Sequence, residues 1–182
     1  RGLGDVYKRQ VHQKLSITLN ASFSRLLEIS ASAYLKKIKN SVDIFPLDTT
    51  QATFVNSNTP RFWGMDLRMK VDILSGLSWH NFISYIDNQH IYNQPEFNLI
   101  SYFQYQNSFF ENDLKTFFRI ETRWIGKRNS LFVHPDQYRQ YTKELPSVFL
   151  LNGLAVLNFS NLNIFLMFEN ILNQDYDYLY GF

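Results

Sequence analysis

The sequence predicts an all-β chain: antiparallel up-and-down strands that form a section of a transmembrane β-barrel. Three observations carry that prediction. The first is the parity of the charges. Met65, Leu67, Met69 and Val71 alternate with Asp66, Arg68, Lys70 and Asp72, and Leu114, Phe118, Ile120 and Trp124 are set against Lys115, Arg119, Glu121 and Arg123. A period of two puts the two sets on opposite faces of a strand. The second is spacing: stretches of about ten residues joined alternately by short and long connections, the mark of an outer-membrane barrel. The third is an aromatic content of 17 %, which suits strands and the aromatic girdles at a bilayer's two surfaces.

The first strand is read at residues 13–23, with Leu15, Ile17, Leu19, Ala21 and Phe23 on one face. A tight connection at 24–26 leads to the second, 27–39. There Leu27, Ile29, Ala31, Ala33 and Leu35 face one way and Glu28, Ser30, Ser32, Tyr34 and Lys36 the other. Residues 40–60, rich in Ser, Thr and Asn and holding two prolines, read as a long loop. The third strand, 61–72, turns at 73–75 into the fourth, 76–86, which alternates poorly. After a loop at 87–96, the fifth, 97–109, carries aromatics on both faces. A turn at 110–112 gives the sixth, 113–126, and residues 127–146 form the longest polar loop. The seventh strand, 147–159, turns at 160–161 into the eighth, 162–172. Alternation leaves the facing of the fourth, fifth and seventh strands open. The opening residues 1–10 do not alternate and resemble translated adapter read-through, so the barrel section is taken as 11–182.

Eleven residues at about 3.3 Å each, tilted by about 40°, rise roughly 25 Å, the height of such a barrel's apolar band. Short turns then face the periplasm and long loops the outside. Glu28, Asp66, Arg68, Lys70, Arg119, Glu121, Arg123 and Glu169 fall on the non-apolar parity and are expected to face the lumen. A Lys or Arg aimed at the lipid midplane would instead cost about 2–4 kcal/mol. Lys37, Lys39 and Arg61 break the parity at strand ends, where long cationic side chains can snorkel. Phe23, Trp63, Trp124 and Phe159, also near strand ends, are candidates for the girdles.

Composition removes several alternatives. A net charge of +2 gives no electrostatic case for nucleic acid. The absence of cysteine excludes disulfides, thiolate zinc sites and cysteine nucleophiles. No apolar run reaches the roughly 18–20 residues of a membrane helix, and the mildly polar mean hydropathy is what a barrel with a polar lumen gives.

Two stretches resemble TonB-dependent receptors. Residues 56–84 read NSNTPRFWGMDLRMKVDILSGLSWHNFIS. They look like a barrel segment of that family, an Asn, then Arg or Lys, then Gly-x-acidic opening a strand. The matching residues are Asn58, Arg61, Gly64 and Asp66, with Asp where the family usually has Glu. The tail, LNIFLMFENILNQDYDYLYGF, is similar to the family's penultimate-strand signature through Glu169, Asn170, Ile171, Leu172, Asn173, Tyr176, Gly181 and Phe182. The resemblance implies a bacterial outer-membrane transporter of about 22 strands with a plugged lumen. Its ligands would be scarce compounds of the siderophore, cobalamin or glycan class, taken up with energy relayed by TonB. The implied partners are outer-membrane lipid, the TonB system acting through a plug, and a small-molecule or metal-chelate ligand. The family's plug and its closing strand have no counterpart in this sequence, so the chain is expected to be a C-terminal barrel fragment.

No catalytic constellation is expected: there is no His-Glu-x-x-His, no Gly-x-Ser-x-Gly and no phosphate loop. His12, His80, His90 and His134 are scattered, so no metal site and no cofactor is expected. The best ligand candidates lie in the longest loop, where Lys127, Arg128, His134, Arg139 and Lys143 mix with Phe132, Tyr138 and Tyr141. Basic and aromatic groups together suit an anionic, partly apolar ligand, and the bland alternative is a solvated loop. Two other readings of the whole chain stay open. One is a self-contained eight-stranded outer-membrane barrel with a structural or adhesive role. The other is a soluble β-sandwich or lipocalin-like binding protein, which would keep an apolar interior and need no detergent.

Overall fold

The computed structural model describes residues 11–24, 26–39, 42–46, 52–56, 61–87, 94–133, 140–159 and 161–177. The strands in chain order are β1 (Val11–Phe23), β2 (Leu27–Lys39), β3 (Val42–Pro46), β4 (Ala52–Asn56), β5 (Arg61–Leu74), β6 (Leu77–Ile86), β7 (Phe97–Phe109), β8 (Leu114–Ile125), β9 (Arg128–Val133), β10 (Gln140–Leu145), β11 (Val148–Phe159) and β12 (Leu162–Phe168). Eight of them form one antiparallel sheet in the order β1-β2-β5-β6-β7-β8-β11-β12. Each strand pairs with its neighbour in sequence, as a meander does, and β1 and β12 are the two edges of an unclosed sheet.

The register assigns every strand's faces, including those alternation left open. Leu35, Trp63 and Leu67 share a face with Ile83, Leu99, Trp124 and Phe149, because Leu35 lies opposite Trp63, Leu67 opposite Ile83, Ile83 opposite Leu99, Leu99 opposite Trp124 and Trp124 opposite Phe149. This apolar face is solvent-exposed: Leu15 is 68 %, Leu19 71 % and Ile120 60 % accessible. Soluble monomers rarely expose contiguous apolar areas beyond a few hundred Å², so a continuous face of this kind calls for a lipid surround. Among the described residues no helix is long and apolar enough to cross a membrane; any crossing is by strands.

Aromatic side chains collect towards the ends of the apolar face. Trp63 packs on Tyr85 with ring centroids 5.1 Å apart, and Phe97 meets Trp124 edge-on at 6.0 Å. This row marks the end from which the long connections leave. Phe23, Phe109 and Phe159 lie at the opposite end, beside the short turns. Trp79, mid-sheet, donates its indole N–H to Ser101 Oγ at 2.9 Å and so satisfies its polar atom within the face.

The short turns have local causes. Gly76 takes φ +81°, a conformation that costs a residue without Cβ little. At the β7–β8 turn, Phe110, Glu111 and Asn112 all have positive φ. Ser24 Oγ accepts from the Leu26 amide at 3.3 Å in the first turn.

Three expectations change. Residues 127–146 are not simply a loop: β9 and β10 continue the β8–β11 hairpin past breaks at Gly126–Lys127 and Pro146–Ser147. Residues 40–60 likewise contain the β3–β4 hairpin. Both hairpins carry polar residues on both parities, so periodicity hid them. The eighth strand ends at Phe168 rather than 172, because Asn170 turns the backbone into the left-handed region at φ 49°.

Most of the sheet is a single layer with no core. Burial concentrates at the long-connection end of β8 and β11, where Ile125, Val148 and Leu150 form a small cluster. Leu145, Ser130 and Arg128 are buried at the base of the outer hairpin.

Candidate functional site

The face opposite the apolar one carries most of the charges. On β5, Asp66, Arg68, Lys70 and Asp72 point to it, and on β8 so do Arg119, Glu121 and Arg123. Strand geometry places residues two apart on one side, and the ion pairs follow that spacing. Lys70 Nζ sits 3.0 Å from Asp72 and stands opposite Glu28 across the β2–β5 ladder. Glu121 accepts from Arg119 and lies 3.7 Å from Arg123. These side chains are partly exposed, so each pair is worth only about 0–1 kcal/mol of stability. Their consequence is placement of charge.

Aromatic rings bridge the two charged strands. His80, opposite Lys70, stacks on Tyr102 at 4.6 Å between centroids, and the Arg119 guanidinium lies 3.7 Å over the other strand's Tyr102 ring. Arg68 covers Phe82 at 5.4 Å, and nearer the long-connection end Lys14 and Lys36 lie over Tyr34 and Phe62. Stacked cation–π contacts of this kind are worth about 0.5–1 kcal/mol each at exposed sites. The result is a band across β5, β6, β7 and β8 that alternates cation, ring and carboxylate. An open cleft of about 580 Å³ follows it along Glu28, Arg68, Lys70, His80, Phe82 and Tyr102.

This band offers cations and ring faces that an anionic or aromatic surface would fit. Ser78 Oγ and His80 Nε2 are 2.9 Å apart, but the imidazole is stacked flat on Tyr102. Among the described residues no group of three or more His, Asp and Glu converges on a metal position.

The rings Tyr34, Phe62, Phe82 and Tyr102 escaped sequence reasoning. Each sits on the polar parity, and only the register shows that it lies beside a cation. Glu169 lies beyond the end of β12, lining a smaller cleft with Arg119, Glu121 and Asn152. In the outer hairpin, Lys127 is exposed and pairs with Glu144 at 3.1 Å. Arg128 is instead buried and donates to the Asp177 carbonyl, which ties the tail to the hairpin base and removes it from an exposed ligand surface. Phe132 and Tyr141 stand opposite each other in the β9–β10 ladder. His134, Tyr138 and Arg139 lie outside the described residues.

The motif residues have structural work. Asn170 Oδ1 accepts from the Gln174 amide and Nδ2 donates to the Gln174 carbonyl, both at 3.0 Å. The Asn173 amide closes on the Asn170 carbonyl at 2.8 Å, and both asparagines take φ 49°, a region in which Asn is several-fold enriched. The Asn170 amide also donates to Asn152 Oδ1, which anchors the turn to β11. Gly64 leaves room for the Tyr34 ring, Arg61 opens β5 on the apolar face, and Tyr176 is exposed in the tail. Asn58 and Gly181 lie outside the described residues.

No family model and no curated protein matches the chain. Solved structures do. The FrpB iron transporter from Neisseria meningitidis (F3-3 variant) is similar over 93 % of this chain and 27 % of its own, at 14 % identity and a TM-score of 0.65. FpvAI in complex with pyocin S2 is similar over 94 % of this chain and 24 % of its own, at 14 % identity and 0.61. P. aeruginosa FpvA bound to a heterologous iron–pyoverdine follows at 12 % identity and 0.55, over 91 % of this chain and 24 % of its own. The chain thus spans about a quarter of the length of the structures it matches. In fold, it resembles part of the barrel wall of those structures: an eight-stranded, antiparallel, unclosed sheet.

Proposed function

We propose that this chain is the C-terminal barrel section, residues 11–182, of an outer-membrane receptor that takes up a scarce small ligand with energy relayed through TonB. The observation that carries the reading is the match of the whole described wall to transporter barrels, in a sheet whose charges are sorted onto one face. In this reading the apolar face meets lipid, and the charged and aromatic band lines the lumen. The outer hairpins, with Lys127, Phe132, His134, Tyr138, Arg139 and Tyr141 in the longest, contact the ligand. An anionic chelate fits the band's chemistry, in which guanidinium groups recognise carboxylate or phenolate oxygens and rings stack on a chromophore. The unpaired edges β1 and β12 weigh against a self-contained eight-stranded barrel. The bare apolar face weighs against a soluble sandwich.

The test is uptake by cells that carry or lack the gene, in strains with and without TonB. Iron-55 hydroxamate and catecholate chelates, cobalt-57 cobalamin and a labelled oligosaccharide serve as probes. Accumulation of one probe that requires both the gene and TonB is the expected result. Accumulation of none, or accumulation that ignores TonB, overturns the reading.

A further inference from the structure

Among the described residues, Arg128 is the only charged side chain that is buried, with 4 % of the residue exposed. Beside it at the base of the outer hairpin, Ser130 and Leu145 are each 1 % exposed, and Leu145 stands opposite Arg128 in the β9–β10 ladder. A guanidinium taken out of water is costly unless it is hydrogen-bonded. An apolar side chain would fill the same place without that cost. An arginine here is therefore explained by what it bonds.

The outer hairpin needs a support. β9 and β10 form a two-stranded sheet of their own, and an isolated two-stranded hairpin is at best marginally stable in water. The wall ladder stops at Ile125 opposite Val148, and the hairpin ladder begins at Arg128 opposite Leu145. In the gap the chain still bonds on its β7 side. The Gly126 amide donates to the Phe97 carbonyl at 2.7 Å, and the Glu96 amide to the Lys127 carbonyl at 3.3 Å. On the other side of the gap, Pro146 has no amide hydrogen to give. Lys127 and Glu144, 3.1 Å apart beside the gap, are both exposed, so their pairing is weak and screened by salt.

The tail crosses this gap. At one end it is fastened to the wall: the Asn170 amide donates to Asn152 Oδ1 at 2.9 Å, and the Ile171 amide to the Leu151 carbonyl at 2.8 Å. The two Asn170–Gln174 hydrogen bonds stiffen the turn that follows. At the other end the Arg128 guanidinium donates to the Asp177 carbonyl. A segment held at both ends thus spans the break between wall and hairpin.

We infer that residues 169–177 are a brace and that Arg128 is the positioning residue that fastens it, setting the angle at which the outer hairpin stands on the wall. The planar guanidinium suits this task, because its donors point in fixed directions and it keeps its charge even when buried. Arg128 then serves ligand capture through the hairpin and not by touching the ligand. That last step rests on the transport reading above; the brace does not.

The test measures distances between pairs of spin labels by pulsed electron resonance. It uses the outer-membrane protein that carries this chain, in a background free of other cysteines. Labels at Asn129, Lys115 and Leu172, all exposed, report the hairpin, the wall and the tail. Each pair is expected to give one narrow distribution. Arg128→Gln should widen the hairpin-to-wall and hairpin-to-tail distributions by about twofold or more, as a freed hinge does, and leave tail-to-wall as it was. Arg128→Lys, which keeps a cationic donor, should restore most of the lost order. Unchanged widths in Arg128→Gln overturn the proposal and leave the transport reading standing. Widening of the tail-to-wall distribution as well would make Arg128 a support of the wall itself, and also overturns it. A last arm needs no change at position 128. With Arg128 in place, the hairpin-to-wall width should be the same at about 0.05 M and about 1 M salt, since only exposed pairs are strongly screened. Widening at high salt would assign the hold to Lys127 and Glu144 and overturn the role of Arg128.

Discussion

Asn170 shows how a single side chain sets where a strand stops. Its amide group forms two hydrogen bonds to Gln174 while its backbone holds φ 49°. Asn170→Ala removes both bonds and places a residue less suited to that conformation. The expected cost is about 1–2 kcal/mol in urea unfolding from lipid vesicles, and Asn170→Gly should recover the backbone share alone. Gly64 sets a different constraint. A Cβ there would come within 2.5 Å of the Tyr34 ring and 2.7 Å of the Tyr85 carbonyl. Gly64→Ala is therefore expected to cost about 1–3 kcal/mol. Adding Tyr34→Ala should recover only part of it, because the carbonyl belongs to the backbone. Adjacent positions on β5 separate the two faces. Leu67→Lys is expected to cost about 2–4 kcal/mol in a bilayer, whereas Arg68→Gln should change stability by no more than about 1 kcal/mol, since it removes only an exposed cation–π contact. Equal costs at 67 and 68 would contradict the assignment of faces.

At the scale of elements, β12 is one of two exposed edges, with Phe165 and Met167 open on one face and Leu162, Leu166 and Phe168 on the other. An apolar edge with unpaired backbone groups is a template for further pairing. The 182-residue chain on its own is expected to self-associate in detergent, and Phe165→Lys with Met167→Lys should shift it towards monomer in sedimentation velocity. A monodisperse monomer before substitution would contradict this. The wall strands were legible from parity because one face must be free of charge, and that constraint writes itself into residues such as Met65 to Asp72. The fourth strand was harder. Phe82 and Ile86 lie on the polar face, and Asn81 on the apolar one, so only its register against β5 and β7 decides which way it faces. The outer hairpins had no face to bury. Arg128, Asn129 and Ser130 pair with Leu145, Glu144 and Lys143, a sequence that reads as loop because cross-strand pairing, not periodicity, makes it a strand. The band of rings and cations was invisible for the same reason: Tyr102 and Arg119 are adjacent only through the β7–β8 ladder, two residues off direct register.

For the whole molecule, the central claim is that the sheet is a barrel wall with Trp63, Met65, Leu67, Met69 and Val71 in lipid and the intervening residues out of it. The match to transporter barrels at 14 % identity or less shows that the wall's architecture is held by face and register rather than by particular residues. The charge-sorted faces, the one-sided long connections and the aromatic row all follow from the same placement. The measurement that tests it most directly uses single cysteines introduced at each position from 65 to 71, since the chain has none of its own. Each is spin-labelled in the protein reconstituted in lipid vesicles, and collision with oxygen is compared with collision with a water-soluble nickel chelate. A period of two is expected, with odd positions exposed to oxygen and shielded from nickel and even positions the reverse. Equal nickel access at odd and even positions would contradict it.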